Sequence, residues 1–163
     1  MEWLYVDINN KKIRVNKNDS LDIYSWRDWA KKPFWFKIKP SLNFSKKGYK
    51  KYTIYINKKS YLLSRIIYKV YNKDWNIYDN SKSNFIDHIN TNSIDNRIEN
   101  LRIVTNQQNC FNRNAKGYCW MERLKKYQSQ ICIDGKIKYL GLFDKEEDAH
   151  IAYLKAKEIY HKM

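Results

Sequence analysis

The chain has 163 residues and a mass of 20.0 kDa, which leaves room for one compact domain or two small modules and excludes a large multidomain enzyme. Apolar residues make up 43% and aromatic residues 16%, so the chain can fill a core and is not of the disordered class. Lys and Arg number 32 against 17 Asp and Glu, for a net charge of +15. This balance favours a polyanionic partner, with nucleic acid ahead of an anionic membrane surface.

The sequence also indicates where the protein resides. No stretch is apolar enough to span a bilayer, and the start MEWLYVDINN lacks a basic run followed by an apolar segment. We therefore expect an intracellular protein, in the cytoplasm of a bacterial, phage-infected or virus-infected host. The three cysteines, Cys110, Cys119 and Cys132, lack the paired spacing of zinc or disulfide frameworks, which predicts reduced thiols.

The amino-terminal part reads as short strands with one or two helical pieces. Phe34 to Lys39 and Tyr49 to Ile56 are rich in aromatic and β-branched residues, and the second segment alternates in polarity. Leu62 to Tyr71 places apolar side chains at helical spacing, which predicts an amphipathic helix. Residues 1–86 carry a net charge of +12, so this part is expected to supply contacts to phosphates.

The middle segment, residues 85–114, reads FIDHINTNSIDNRIENLRIVTNQQNCFNRN. Two short apolar runs flank a stretch rich in turn formers, which predicts a strand, a loop and a second strand. Thr105 followed by Gln108 forms a capping box, so a helix should begin there and carry Asn109 in its first turn. Residues 87–114 have no net charge, so a catalytic group is best sought here.

His88 is the candidate general base among only three histidines. It adjoins the carboxylate of Asp87, and imidazole suits proton abstraction near neutral pH. Neighbouring side chains on a regular strand face opposite ways. We therefore expect both groups to reach one site only where the strand ends.

The patterns DHIN, DNRIENLRIVT and NQQN resemble the HNH endonucleases of the ββα-metal superfamily, in the homing branch where Asn replaces the last His. The upstream stretch KPSLNFSKKGYKKYTIYINKKSYLLSRIIYKVYN is similar to the region that precedes this motif in that branch. The resemblance implies that Asp87 and Asn109 bind one Mg²⁺ or Mn²⁺ ion, that His88 activates water, and that Asn100 holds His88 from across the loop. It implies no small-molecule cofactor. Arg113, one turn after Asn109, could reach a neighbouring phosphate.

The carboxyl-terminal segment predicts three strands and a helix. The strands are Tyr118 to Arg123, Tyr127 to Asp134 and Lys136 to Phe143, and Asp134-Gly135 signals a tight turn between the last two. Asp144, with Glu147 three residues later, predicts the start of a helix with one apolar face. The helix should back the sheet while the other face of the sheet meets the polyanion.

The stretches KGYCW and YQSQICIDGKIKYLGLFDKEEDAHIAYLKAKEIYH resemble an AP2 domain, a three-stranded sheet packed on one helix. The resemblance implies a sheet that enters the major groove of DNA, where Arg, Lys and Gln can read base edges. The register of the third strand is open. Lys136 and Lys138 share one face and Ile137 and Tyr139 the other, so these four residues cannot all contact DNA. The candidate DNA-binding residues of this segment are Arg123, Lys125, Gln128, Gln130, Lys136, Lys138 and Tyr139.

We therefore expect an α+β protein with three parts: a small mixed, strand-rich and basic region over 1–60, a ββα-metal nuclease unit over 61–114 and an AP2-like reader over 115–163. The expected function is that of a site-specific DNA endonuclease of homing type, acting on double-stranded DNA as a monomer or homodimer. Two alternatives stay open: an AP2-type regulator that binds without cleaving, and a structure-specific nuclease of the same chemistry.

Overall fold

The computed structural model describes residues 2–29, 31–46, 48–112 and 115–161. The chain divides into two compact units, an amino-terminal unit, Met1–Val104, and a carboxyl-terminal unit, Thr105–Met163. Small antiparallel sheets and three α-helices make up the described residues, which confirms the α+β class.

The amino-terminal unit begins with a four-stranded antiparallel meander in the order β1-β2-β3-β4. Apolar residues alternate with polar or aromatic ones along each strand, so one face is buried and the other meets solvent. Of the one or two helical pieces expected in the amino-terminal part, one forms, at Leu63–Tyr71, and strands make up most of the chain before it. The strands are β1 (Trp3–Ile8), β2 (Lys11–Asn16), β3 (Asp19–Arg27) and β4 (Phe34–Ile38).

A second antiparallel sheet follows, with β5 (Ser41–Phe44), β6 (Lys50–Ile56) and β7 (Lys59–Leu62) in sequence order. Asparagine side chains join the two sheets at their hairpin turns. Asn57 Nδ2 donates to the carbonyl oxygen of Asn9 at 2.7 Å, and Asn9 Nδ2 donates to that of Asn57 at 3.1 Å. These reciprocal bonds hold the turn between β1 and β2 against the turn between β6 and β7.

Helix α1 (Leu63–Tyr71) fills the centre of the amino-terminal unit. Its predicted apolar stripe is buried, and the expected helix at 62–71 is confirmed. Its core side chains pack with residues of both sheets and with Leu101. One hydrophobic core therefore includes residues on both sides of the expected boundary between residues 60 and 61. The boundary between the two compact units lies between residues 104 and 105. The expected division into three parts, 1–60, 61–114 and 115–163, stays a prediction. The buried core residues of α1 are Leu63, Ile66, Ile67 and Val70.

A two-stranded hairpin completes this unit, with β8 (Phe85–His88), a 3-10 turn (Ile98–Asn100) and β9 (Leu101–Val104). The carboxyl-terminal unit then begins with α2 (Asn106–Phe111), whose first turn carries the predicted capping box between Thr105 and Gln108. The sequence-based order of strand, loop, strand and helix is thus confirmed.

The carboxyl-terminal unit also contains a three-stranded antiparallel sheet of β10 (Tyr118–Met121), β11 (Lys126–Ile133) and β12 (Lys136–Phe143). Helix α3 (Glu146–Tyr160) packs on one face of it. The expected cap at Asp144 is wrong: the N-cap is Lys145, and Asp144 pairs instead with Lys126 Nζ at 3.2 Å. The predicted apolar face of α3 is narrower than expected, because Ile159 and Tyr160 are exposed.

Two sequence-based expectations concern the chain as a whole. No helix in the described ranges combines the length and apolar character needed to cross a membrane. The thiols of Cys110, Cys119 and Cys132 are free, as expected.

Gly117 is a position where the backbone requires glycine. Its φ is +75°, and an added Cβ would lie 1.9 Å from Tyr153 Cγ in the core of the carboxyl-terminal unit. We expect Gly117→Ala to destabilise this unit by about 2–4 kcal/mol, since it adds overpacking to backbone strain. Gly135→Ala is the matched control: its φ is +77° but nothing lies within 4 Å, so we expect a loss of about 1 kcal/mol. Amide hydrogen exchange in β11 and α3 measures the stability of the unit in both variants. Equal losses of stability in Gly117→Ala and Gly135→Ala would contradict the packing argument.

Candidate functional site

The β8–β9 hairpin places Asp87 and His88 at the end of β8. Antiparallel pairing sets Asp87 opposite Arg102 and His88 opposite Leu101. Beyond His88 the chain leaves the strand and turns, with Thr91 N donating to the carbonyl oxygen of His88 at 2.9 Å and Thr91 at a φ of 63°. β8 thus ends at His88, which is the condition under which Asp87 and His88 could reach one site.

Asp87 is a buried carboxylate with a cationic partner that the sequence analysis missed. Arg102 donates from Nε at 2.9 Å and from Nη2 at 2.8 Å to the same oxygen, Oδ2. Only 8% of the Asp87 side chain is exposed, against 28% for Arg102. Two charge-assisted hydrogen bonds to one oxygen anchor that oxygen and compensate the charge of the carboxylate. Arg102 therefore anchors Asp87 at the strand end.

His88 also has a partner that sequence reasoning missed. Its Nε2 lies 3.2 Å from Asn96 Oδ1, and Asn96 Nδ2 donates to the carbonyl oxygen of Ile94 at 3.3 Å. The second bond sets the amide orientation, so the oxygen of Asn96 faces the ring. Because an amide oxygen can only accept, this contact requires a hydrogen on Nε2. In the neutral tautomer that has this hydrogen, Nδ1 is the basic atom.

Asn100 closes the loop between the two strands. Its Oδ1 accepts from Asn90 N at 2.9 Å, and its Nδ2 donates to the carbonyl oxygen of Asp95 at 2.8 Å. The expected bond across the loop thus exists, but it joins Asn100 to backbone groups, while Asn96 bonds the imidazole of His88. Asn100 and Asn96 are both buried, which fits a loop that is held rigid.

Charged groups strengthen the same loop. The Arg97 guanidinium donates to both carboxylate oxygens of Asp95, at 2.9 and 2.8 Å, and Asn90 Nδ2 donates to Asp95 Oδ2 at 2.9 Å. These hydrogen bonds, those from Arg97 foremost, hold the pKa of Asp95 well below its usual range. The carboxylate therefore stays ionised, and the loop keeps these links, across the neutral range.

Arg65 of α1 binds the segment that leads into the β8–β9 hairpin. Its guanidinium donates to three backbone carbonyl oxygens of the segment before β8, those of Ile77, Asp79 and Asn84, at 2.7 to 3.0 Å. The guanidinium also lies 4.7 Å from the centre of the Trp75 ring. Three carbonyl bonds from one side chain fix the path by which the chain enters β8.

The other predicted ligand, Asn109, lies in α2 of the carboxyl-terminal unit, and Arg113 lies outside the described residues. Among the residues that the structure describes, no group of three or more His, Cys, Asp or Glu side chains is placed to hold a metal ion. The buried carboxylate of Asp87 is a hard oxygen donor of the kind that Mg²⁺ prefers, and one of its two oxygens accepts from Arg102.

The carboxyl-terminal sheet has two distinct faces. Ser129 and Ile131 of β11 are buried beneath α3, so Gln128 and Gln130, which alternate with them, lie on the opposite face. Gln128 Nε2 donates to Gln130 Oε1 at 3.3 Å. Tyr139 pairs with Gln130 and shares its face. The structure thus brings together Gln128, Gln130 and Tyr139 of the predicted set.

Lys136 and Lys138 lie on the other side of the sheet. They pair with Ile133 and Ile131, and the Lys138 ammonium lies 4.3 Å from the centre of the Tyr160 ring of α3. The cause is a β-bulge: Ser129 pairs with Gly141 but Gln130 pairs with Tyr139, so one extra residue reverses the faces of the strand. This resolves the register that the sequence left open.

The two remaining candidates lie in the turn between β10 and β11, where both are exposed. Arg123 is past the end of β10, which ends at Met121 rather than at residue 123 as expected. Lys125 has a φ of 51° and forms an ion pair with Glu122. Neither therefore shares a strand face with Gln128 and Gln130.

Comparison with known proteins gives one match. Residues 80–110 match the family model described as HNH endonuclease. The matched stretch contains β8, the loop, β9 and most of α2, and so includes Asp87, His88, Asn100 and Asn109. It supports a nuclease of the HNH kind, a hydrolase, and that family generally uses a divalent metal and has DNA as its substrate. No curated protein and no solved structure matches the chain.

Proposed function

We propose, from the HNH match over residues 80–110, that this protein is a site-specific DNA endonuclease of homing type that hydrolyses one phosphodiester with a histidine base and one divalent cation. The observation that carries the proposal is the hydrogen bond of 3.2 Å between His88 Nε2 and Asn96 Oδ1, beside the buried carboxylate of Asp87. A histidine with a defined hydrogen-bond partner, adjacent in sequence to a buried carboxylate, supports a hydrolytic role over one of DNA binding alone.

In the proposed reaction, His88 Nδ1 accepts a proton from the water that attacks the scissile phosphorus. The positive charge that then develops on the ring is shared with Asn96 Oδ1, which already accepts from Nε2–H. Arg102 anchors the Asp87 carboxylate. Asn100 holds the loop that joins β8 to β9. The chain thus supplies a fixed base and a fixed carboxylate within one hairpin.

Asp87 and Asn109 are the residues that would hold the cation, Mg²⁺ or Mn²⁺. When bound, such an ion offsets the negative charge that develops on the phosphate oxygens and on the departing 3′ oxygen. Oxygen donors of this type favour hard cations over Zn²⁺. The proposed products carry 5′-phosphate and 3′-hydroxyl ends, as the resemblance to HNH enzymes implies.

The carboxyl-terminal unit is proposed as an AP2-like reader of the major groove. Its topology, three antiparallel strands backed by one helix, is consistent with that resemblance, and Gln128 and Gln130 offer amide groups on the uncovered face. Lys- and Arg-rich surfaces supply affinity for phosphates that weakens with salt. With a single nuclease motif, one copy would nick and two would be needed for a double-strand break.

Cleavage of supercoiled plasmid by the purified full chain tests the proposal. We expect nicking with Mg²⁺ that stops in EDTA. Binding without cleavage under any divalent cation would instead identify the AP2-type regulator. Stronger cleavage of branched than of linear duplexes at raised salt would identify the structure-specific nuclease.

A variant at Gln130 tests the reader. We expect Gln130→Ala to reduce discrimination between the preferred site and a single-base variant of it by about 5- to 100-fold, the effect of one bidentate base contact. Lys138→Ala is the control, because Lys138 lies on the α3 face and should leave discrimination unchanged. Competition binding with the two duplexes measures both variants. If Lys138→Ala alone relaxed discrimination, the proposal that the face with Gln130 reads the bases would be wrong.

A further inference from the structure

The amino-terminal unit contains a cleft at one end of its first sheet, beside the turn between β6 and β7. The cleft has a volume of about 420 Å³, and none of its lining residues, all within the described ranges, is an Asp or Glu. A volume of this size lies in the range of about 300–1,000 Å³ typical of ligand sites. The side chains on which the argument depends are Lys11, Arg27, Lys39, Phe36 and Tyr55.

The cations of the cleft are incompletely compensated. Lys11 Nζ lies 3.6 Å from a carboxylate oxygen of Asp28, which is 69% exposed. Arg27 and Lys39 form no ion pair with any carboxylate that the structure describes. The Arg27 guanidinium instead lies 4.9 Å from the centre of the Phe36 ring. Lys37 of the lining is paired with Asp22 at 2.7 Å. Arg27 and Lys39 therefore supply the cationic excess of the cleft, which attracts an anion.

Two exposed rings border the same cleft. Phe36 is 48% exposed and Tyr55 is 70% exposed. Asn57, at the edge of the cleft, is joined to Asn9 by reciprocal hydrogen bonds between the adjacent turns. Exposed rings beside cations match a ligand that has both flat apolar faces and phosphates, which are the parts of a nucleotide.

Base pairing decides which nucleic acid can use such a cleft. In a duplex the faces of the bases are stacked on one another, so aromatic side chains reach the faces of unpaired bases only. We propose that this cleft binds an unpaired stretch of a nucleic-acid strand, with phosphates on Arg27 and Lys39 and bases on Phe36 and Tyr55. The inference stands apart from the cleavage function, which requires only duplex DNA.

Fluorescence anisotropy with the full chain in EDTA tests this site. The probes are a labelled 15-nucleotide oligo(dT), an oligo(rU) of the same length and a duplex of the same length. We expect Phe36→Ala and Tyr55→Ala each to weaken binding of the single strands about 10-fold, the effect of one lost stack. Duplex binding should change less than about 2-fold. Whichever single strand binds more tightly identifies the sugar that the cleft prefers.

Tyr49→Ala is the matched control, because Tyr49 is an exposed ring of the same unit, 66% accessible, that does not line the cleft. The proposal is overturned if neither cleft variant weakens single-strand binding, if Tyr49→Ala weakens it equally, or if duplex binding falls in parallel. Photocrosslinking of the wild-type chain to a 4-thiouridine oligonucleotide is a second test that requires no variant. Crosslinks on peptides with Phe36 or Tyr55 support the site, and crosslinks confined to other peptides contradict it.

Discussion

His88→Ala should lower the rate of DNA cleavage by about 100- to 10,000-fold, the usual contribution of a general base. DNA affinity should stay within about 2-fold, because residues 87–114 carry no net charge and the cationic excess lies elsewhere in the chain. Single-turnover cleavage of supercoiled plasmid measures the rate, and binding in EDTA measures the affinity. Added imidazole should restore part of the rate, since it replaces the missing base without restoring a structural contact.

His150→Ala is the control for this variant. His150 lies on α3, where Nδ1 is 2.8 Å from the carbonyl oxygen of Lys116, and its removal should leave cleavage unchanged. Asp87→Asn should match His88→Ala in losing cleavage while it keeps the size of the side chain beside Arg102. If His88→Ala instead lost DNA binding and kept its rate at saturating protein, the residue would be part of the DNA-binding surface and the proposed base would be wrong.

Asn96→Ala should have the second largest effect, a loss of about 10- to 100-fold in cleavage rate, as expected for a group that orients another through a hydrogen bond. Without Asn96 Oδ1, the ring of His88 loses the acceptor that keeps the hydrogen on Nε2. The change should act on the rate constant of cleavage, with DNA affinity unaltered. A pH–rate profile measured beside the wild type should also move, because the ring loses the partner of its protonated nitrogen.

Asn96→Asp separates this positioning role from a purely structural one. Both variants lose the bond from Nδ2 to the Ile94 carbonyl oxygen, but Asp keeps an acceptor for Nε2–H. We therefore expect Asn96→Asp to recover most of the rate that Asn96→Ala loses. Equal losses in the two variants, with an unchanged pH profile, would show that Asn96 merely fills the loop.

Local patterns in the sequence were sufficient for most of the elements. The capping box of Thr105 and Gln108 lies within four residues, so its hydrogen bonds form wherever the helix forms. The turn at Asp134-Gly135 likewise depends only on its own two residues, both of which have positive φ. The expected cap at Asp144 is one residue out of place, since the helix begins at Glu146 with Lys145 as its N-cap.

The partners of the candidate site are set by contacts between residues distant in sequence. Arg102 meets Asp87 only through the register of β8 and β9, and Asn96 meets His88 only after the loop has closed. Sequence reasoning proposed Asp87 and His88 from their chemistry and from a motif, and it named Asn100 as the residue that holds His88, whereas Asn96 is the residue that contacts the imidazole. The asparagines of this loop have identical side chains, so only their positions in the folded loop decide which one contacts the imidazole of His88.

The amino-acid sequence by itself determined the charge, the apolar periodicity of the strands and of α1, and the residues that we propose as the hydrolytic groups, because these properties belong to single residues or to near neighbours. The tertiary structure decided which face each side chain occupies. One extra residue in β12 turns Lys138 toward α3 and leaves Gln130 on the uncovered face. Strand register, bulges and loop closure depend on packing over the whole unit, so no local pattern specifies them.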